Sequence, residues 1–167
     1  MTRLIIVMGV SGSGKTLVGK SLAEQLGVEF VDGDDLHPSE NVEQMRAGSK
    51  LDDDARKPWL DALCRCAESN FARGQSVVIA CSALKSKYRD QLRSVSRPTI
   101  FLYLTGPREL IRQRMENRPG HFMPASLLES QFADLECPVG ENNVEVISID
   151  QRPESMVEEA VQLVAKF

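Results

Sequence analysis

The feature that most constrains this chain is an apolar run that breaks off into a glycine-rich loop. Leu4 to Met8 reads LIIVM, and Gly9-Val10-Ser11-Gly12-Ser13-Gly14-Lys15-Thr16 follows directly. A short continuous apolar run bounded by a turn signal reads as a buried strand. Lys15 to Leu26 then carries a helical pattern that stops at Gly27. Strand, loop and helix in that order are the setting in which G-x-x-x-x-G-K-[ST] holds a phosphate chain. The glycines let the backbone curl so that successive N–H groups point at phosphate oxygens, and the helix adds its positive end. Lys15 is placed for the β- and γ-phosphates and the Thr16 hydroxyl for Mg²⁺. The nucleotide-binding set read from the loop is therefore Gly9, Ser11, Gly12, Ser13, Gly14, Lys15 and Thr16, with ATP and Mg²⁺ expected.

The rest of the chain repeats the alternation. Val28 to Val31, Ser76 to Cys81, Thr99 to Leu104 and Val144 to Ile149 read as further strands. Their continuous apolar character suggests burial on both faces. Helical patterns cover Asp53 to Arg73, opened by Asp52 as a cap, and then Pro107 to Asn117 and Pro153 to Phe167, each begun by a proline. The expectation is an α/β fold, a parallel sheet with helices on both faces, within one domain spanning residues 1–167. Arg118 to Pro124, RPGHFMP, resists any core assignment and reads as a surface loop, a mobile lid over about 118–125.

Bulk properties exclude several classes. A formal net charge of -4 gives no basic excess for nucleic acid. No apolar run approaches the roughly 18 residues needed to cross a bilayer. Cys64, Cys66, Cys81 and Cys137 form neither a CxxC pair nor a metal-ligand spacing. They read as reduced thiols in a cytoplasmic protein.

The type of nucleotide chemistry follows from what is missing and what is present. The strand at Ser76 to Ala80 ends in Cys81-Ser82, with no acid to activate water for hydrolysis, and no N-K-x-D signal for guanine occurs. A kinase for a small molecule needs a carboxylate on the metal side, a base for the acceptor hydroxyl and a lid that excludes water. Val31-Asp32-Gly33-Asp34-Asp35-Leu36-His37-Pro38 supplies the first two. It follows the second strand and should emerge at the same sheet edge as the phosphate loop. In an extended segment Asp32 and Asp34 share one side. Asp32 is read as facing the Mg²⁺ shell, Asp34 as accepting the hydroxyl proton, and Asp35 as capping the turn. His37 reads either as a turn stabiliser beside Pro38 or as a ligand contact.

Cations gather at the ends of the same elements: Arg56 and Lys57 before Pro58-Trp59, Lys85 and Arg89 after the third strand, Arg118 and His121 in the lid stretch. Several at one edge point to an anionic acceptor, since an arginine fork suits a carboxylate and Ser82 a neighbouring hydroxyl. Trp59, the only tryptophan, reads as a helix-core anchor.

Taken in order, GVSGSGKT, DGDDLHP, LDDDARKPW, CSALK with YRD, and RPGHF resemble the gluconate kinases of the P-loop small-molecule kinase group across nearly the whole chain. The combination of DGD-x-LHP, D-x-RKPW and CSALK is narrow. The resemblance implies a three-layer P-loop kinase fold with a five-stranded parallel sheet. It implies ATP-dependent phosphorylation of D-gluconate at its terminal hydroxyl, giving 6-phosphogluconate, and a homodimer. It implies that Lys15, Asp34 and Arg118 act in catalysis. Arg56, Lys85 and Arg89 would bind the acid, with His37, Ser82, His121 and Gln131 as further contacts. Arg114 would approach the nucleotide, and Arg152 and Pro153 would pack against adenine. Two departures bear on the acceptor. Gly33 stands where the related shikimate kinases have threonine, and Cys81-Ser82-Ala83-Leu84-Lys85 replaces a glycine-rich strand end, which argues against shikimate. The alternatives are a kinase for another small hydroxy acid or a nucleotide, and a non-catalytic ATP-binding switch.

Overall fold

In the computed structural model, which describes residues 1–119 and 127–167, five parallel strands form one sheet. They are β1 (Leu4–Met8), β2 (Glu29–Asp32), β3 (Val77–Ala80), β4 (Thr99–Thr105) and β5 (Val144–Ser148), in the order β2-β3-β1-β4-β5. Ile6 of β1 lies between Ile79 of β3 and Phe101 of β4. Seven helices follow among the described residues: α1 (Lys15–Leu26), α2 (Ser39–Arg46), α3 (Asp53–Ala72), α4 (Ser86–Arg93), α5 (Arg108–Glu116), α6 (Leu128–Asp134) and α7 (Pro153–Val164).

The central strands β1, β3 and β4 are buried on both faces, as their continuous apolar runs require, whereas the edge strands β2 and β5 are mostly half-buried or exposed. Ile5 and Val7 of β1 join Val78, Ile100, Leu102 and Leu104 under α1, α5 and α7. Leu4, Ile6 and Met8 point the other way and meet Val77, Ile79, Phe101 and Tyr103 under α3 and α4. The two-residue period of a strand divides one apolar run into two cores.

Because β1 is central, with β3 on one side and β4 on the other, the crossover direction changes at its carboxyl end. That is where open α/β sheets bind ligands. The phosphate loop leaves β1 at this point and the acidic segment leaves β2 at the same edge.

Three local features differ from the sequence reading. Helices α2 and α6 were not anticipated, and α4 was given no bounds. The acidic segment is not extended: Gly33–Leu36 form a 3₁₀ turn. Its cap is Asp32, whose carboxylate accepts the Asp34 N–H at 3.1 Å, and Asp35 is exposed instead of capping. The lid stretch, including His121, lies largely outside the described residues.

Candidate active site

The cleft begins with the phosphate loop. Gly12 and Gly14 hold φ of 82° and 99°, conformations that side chains strain to adopt. A Cβ on Gly14 would meet nothing within 4 Å, so the loop opens into free space there. Gly12 faces the opposite constraint: its Cβ would lie 2.7 Å from Cγ of Met115 on α5. Ser11, Gly12, Gly14, Lys15 and Thr16 line the cleft. Gly9 and Ser13 are buried and not part of its lining; the Ser13 hydroxyl has no hydrogen-bond partner among the described residues. Lys15 donates from Nζ to the Val10 carbonyl at 3.1 Å, folded onto its own loop. Burial lowers its pKa, while the nearby Asp34 and Asp32 carboxylates oppose that shift.

Across the cleft stand Asp32, Asp34 and His37. The 3₁₀ turn, rather than an extended strand, brings both acids to one side. The Thr16 hydroxyl donates to Asp32 Oδ2 at 2.9 Å, which ties the first turn of α1 to the acidic turn. These two oxygen groups fit a hard divalent cation that takes its other ligands from phosphates and water. No cluster of three or more metal-ligating side chains occurs among the described residues, as such a partly hydrated cation allows.

Gly33 is dictated by packing. A Cβ there would approach the Ala80 carbonyl oxygen to 2.5 Å, so the turn lies against the end of β3 too closely for any side chain. On its other side the indole Nε1 of Trp59 donates to the Gly33 carbonyl at 2.6 Å. Trp59 is buried, as the core-anchor reading expected, and its ring also stacks on His37 at 4.2 Å between centroids. Burial, with a contribution from Arg56, pushes the His37 pKa down to about 4. The imidazole is therefore neutral near pH 7 and contributes hydrogen bonding, not charge.

The acceptor cations divide. Arg56 lines the cleft from the first turns of α3 although only 8% exposed. The one hydrogen bond of its guanidinium among the described residues is a long one, 3.5 Å from Nε to the Leu51 carbonyl. Ser82 and Arg118 line the cleft too. Gln131 does so while its Oε1 accepts the Ser11 N–H at 2.6 Å.

Arg89 is not in the cleft. It is fully buried and spends its donors on protein: Nη1 on the Ala83 and Leu84 carbonyls at 2.7 and 3.0 Å, Nη2 on the Glu136 carbonyl, and Nε with Nη2 on the Glu141 carboxylate. The expectation that it binds the acid is corrected: it holds the turn after β3. Lys85 is likewise drawn aside. Its Nζ pairs with Asp53 at 3.0 Å, and the same carboxylate takes Lys87 and the Tyr88 hydroxyl.

Arg114 reaches the turn after β5, donating to the Ile149 carbonyl at 3.0 Å. Arg152 and Pro153 lie exposed just beyond, where α7 begins. These three lie outside the cleft lining. Met45, on the unanticipated α2, lines the cleft and was missed. Its pairing with Asn41 one helical turn earlier was the available signal, as both are buried.

Known proteins resemble this chain in sequence and in fold. A family model described as an AAA domain matches residues 4–138. The thermosensitive gluconokinase of Escherichia coli (strain K12) is 47% identical over 145 residues, covering 87% of this chain and 77% of the relative. The thermoresistant gluconokinase of the same strain is 42% identical over 164 residues, 98% of this chain and 94% of the relative. The crystal structure of a gluconokinase from Sinorhizobium meliloti 1021 superposes with a TM-score of 0.87 at 44% identity, covering 97% of this chain and 91% of that one. With its phosphate loop, its acidic turn and relatives of this similarity over nearly its whole length, the chain belongs to the gluconokinase family of P-loop kinases.

Proposed function

We propose that this chain transfers the γ-phosphoryl group of ATP to the terminal hydroxyl of D-gluconate, with Asp34 as the base. The observation that carries this reading is the placement of Asp34 and Arg56 on one cleft with Lys15. A base, a nearly buried guanidinium with donors to spare and a phosphate cradle together suit an acceptor bearing both a hydroxyl and a carboxylate.

The chain's own residues divide the work. The curled loop and the N-terminus of α1 hold the triphosphate, with Lys15 swinging from Val10 to the phosphates. Thr16 and Asp32 would hold Mg²⁺, which when bound neutralises phosphate charge. Arg56 pairs with the acceptor carboxylate, and His37 and Ser82 accept or donate to its hydroxyls. Asp34 takes the hydroxyl proton as the alcohol oxygen bonds to phosphorus and the bridging bond to ADP breaks. Arg118 stands at the mouth of the cleft, where its charge is felt by Lys15 and offsets charge on the transferring group.

A coupled ADP-release assay over sugar acids, shikimate and nucleoside monophosphates tests the acceptor. Gluconate should dominate, and turnover with another acceptor instead would replace this reading. Asp34→Asn should lower turnover by about 10²–10⁴-fold with ATP affinity unchanged, and wild-type turnover would remove Asp34 as base.

A further inference from the structure

One peptide plane in the acidic turn is held at both ends. The carbonyl of Gly33 and the N–H of Asp34 belong to the same planar unit. The carbonyl accepts the Trp59 indole N–H at 2.6 Å, and the N–H donates to Asp32 Oδ1 at 3.1 Å. This plane immediately precedes the Asp34 Cα, so its orientation sets the direction in which the Asp34 side chain leaves the backbone. The second Asp32 oxygen accepts the Thr16 hydroxyl. A continuous run of hydrogen bonds thus joins α3 to α1 through Trp59, the Gly33–Asp34 peptide, Asp32 and Thr16.

Core filling alone does not account for this. Trp59 is 1% exposed, and a phenylalanine or leucine would supply apolar volume without a donor. A buried indole N–H needs a partner. Here that partner is the carbonyl of the residue pressed against β3, where no side chain fits. The turn is therefore gripped from two sides, by the Ala80 carbonyl wall and by Trp59. The same ring stacks on His37 at an interplanar angle of 13°, and Asn41 of α2 lies 3.4 Å from His37 Nδ1 while donating to the Ala55 carbonyl at 2.8 Å. Arg56 stands one helical turn before Trp59. The stretch of α3 that presents the acceptor cation therefore also holds the turn that presents the base.

We infer that Trp59 is a positioning residue for phosphoryl transfer: its indole N–H orients the Gly33–Asp34 peptide, and through it the Asp34 carboxylate, toward the acceptor hydroxyl. This rests on the reading of Asp34 as base. Small misplacement of a reacting group costs rate more than binding. The effect should therefore appear in turnover and leave the phosphate cradle unaffected.

The experiment is a double-mutant cycle on the whole chain with Trp59→Phe and Asp34→Asn, measuring kcat, gluconate KM, ATP affinity and thermal midpoint. Trp59→Phe keeps a ring against His37 and loses the donor. It should lower kcat by about tenfold or more, with ATP affinity and gluconate KM within about twofold of wild type. In the Asp34→Asn background the same change should cost less than half as much on a logarithmic scale, because the carboxylate that it orients is gone. Trp59→Leu, which also removes the stack, should in addition raise gluconate KM. Wild-type kcat in Trp59→Phe overturns the inference, and so do strictly additive effects, which mean a general structural loss. If Trp59→Phe is too unstable to assay, Trp59→His, which retains a ring N–H, serves in the cycle and should recover part of the kcat lost in Trp59→Leu; no recovery overturns the inference. Full turnover in Asp34→Asn alone identifies failure of the base reading. Slow Asp34→Asn with wild-type Trp59→Phe identifies failure of this inference only.

Discussion

Arg56 and Arg89 make an instructive pair. Both are buried and both belong to polar stretches at the active edge of the sheet. One guanidinium has a single long hydrogen bond among the described residues and opens on the cleft; the other is matched donor for acceptor by three carbonyls and a carboxylate. Arginine offers five donors in a rigid fork. What distinguishes a ligand-binding arginine from a structural one is how many of the five the protein has already used. Residue type and chain position do not record that count.

The widest gap between them should appear in stability. Arg89→Ala takes the donor from the buried Ala83 carbonyl, one of two donors from the Leu84 carbonyl and one of two arginines from Glu141, and losing these charge-assisted hydrogen bonds should cost about 2 kcal/mol or more of unfolding free energy. Denaturant melts read this directly; a loss below about 1 kcal/mol would dissolve the contrast. Arg56→Ala should do the reverse. A charge-assisted hydrogen bond contributes about 1.5–3 kcal/mol, so gluconate KM should rise by about tenfold to a hundredfold while the melt changes little. An unchanged KM would remove Arg56 from the acceptor site.

Acid should sharpen the comparison further. The Arg89 hydrogen bond holds the Glu141 carboxyl below its ordinary value. Its contribution is present above the ordinary glutamate pKa of about 4.5 and is lost as pH falls through the depressed value. Stability melts at successive pH values should show that loss in the wild type and not in Glu141→Gln. His37 behaves differently. Its folded pKa of about 4 lies below its unfolded value, so the unfolded chain binds the extra proton and stability declines as pH falls from about 6.5 to 4. Because the sole tryptophan stacks on this imidazole, and an imidazolium quenches indole emission, Trp59 fluorescence should titrate near pH 4. The smallest expected effect separates the arginines once more. Arg56→Ala should move that midpoint upward, because Arg56 disfavours the imidazolium; Arg89→Lys should leave it unmoved. A midpoint near 6.5 in the wild type would show that His37 is solvated.

What was legible in the sequence was whatever local pattern fixes. The apolar runs of β1, β3 and β4 and the glycine signals around α1 could be placed because burial on both faces and positive φ each demand particular residues. Helix α2 escaped and α4 went without bounds because SENVEQMR and SKYRDQLR are mostly polar: α2 buries only Met45 beside Asn41, and α4 only Tyr88 and Leu92 beside Arg89. The short α6 has too few residues to show a period. In the site, the gathering of Lys15, Thr16, Asp32 and Asp34 on one cleft was readable because the phosphate loop and the acidic segment leave their strands at the same sheet edge. The contacts of Arg89 and Trp59 were not, since both have partners far off in the chain, Glu141 and Gly33 among them.

The sequence by itself determined the phosphate cradle, the parallel sheet and the acidic segment beside them, because each follows from contacts between near neighbours in the chain. Only the tertiary structure decided which cation faces the cleft and what holds the acidic turn. Those outcomes turn on hydrogen-bond acceptors that folding brings together from distant segments, and a donor's freedom is fixed only when all of its surroundings are in place.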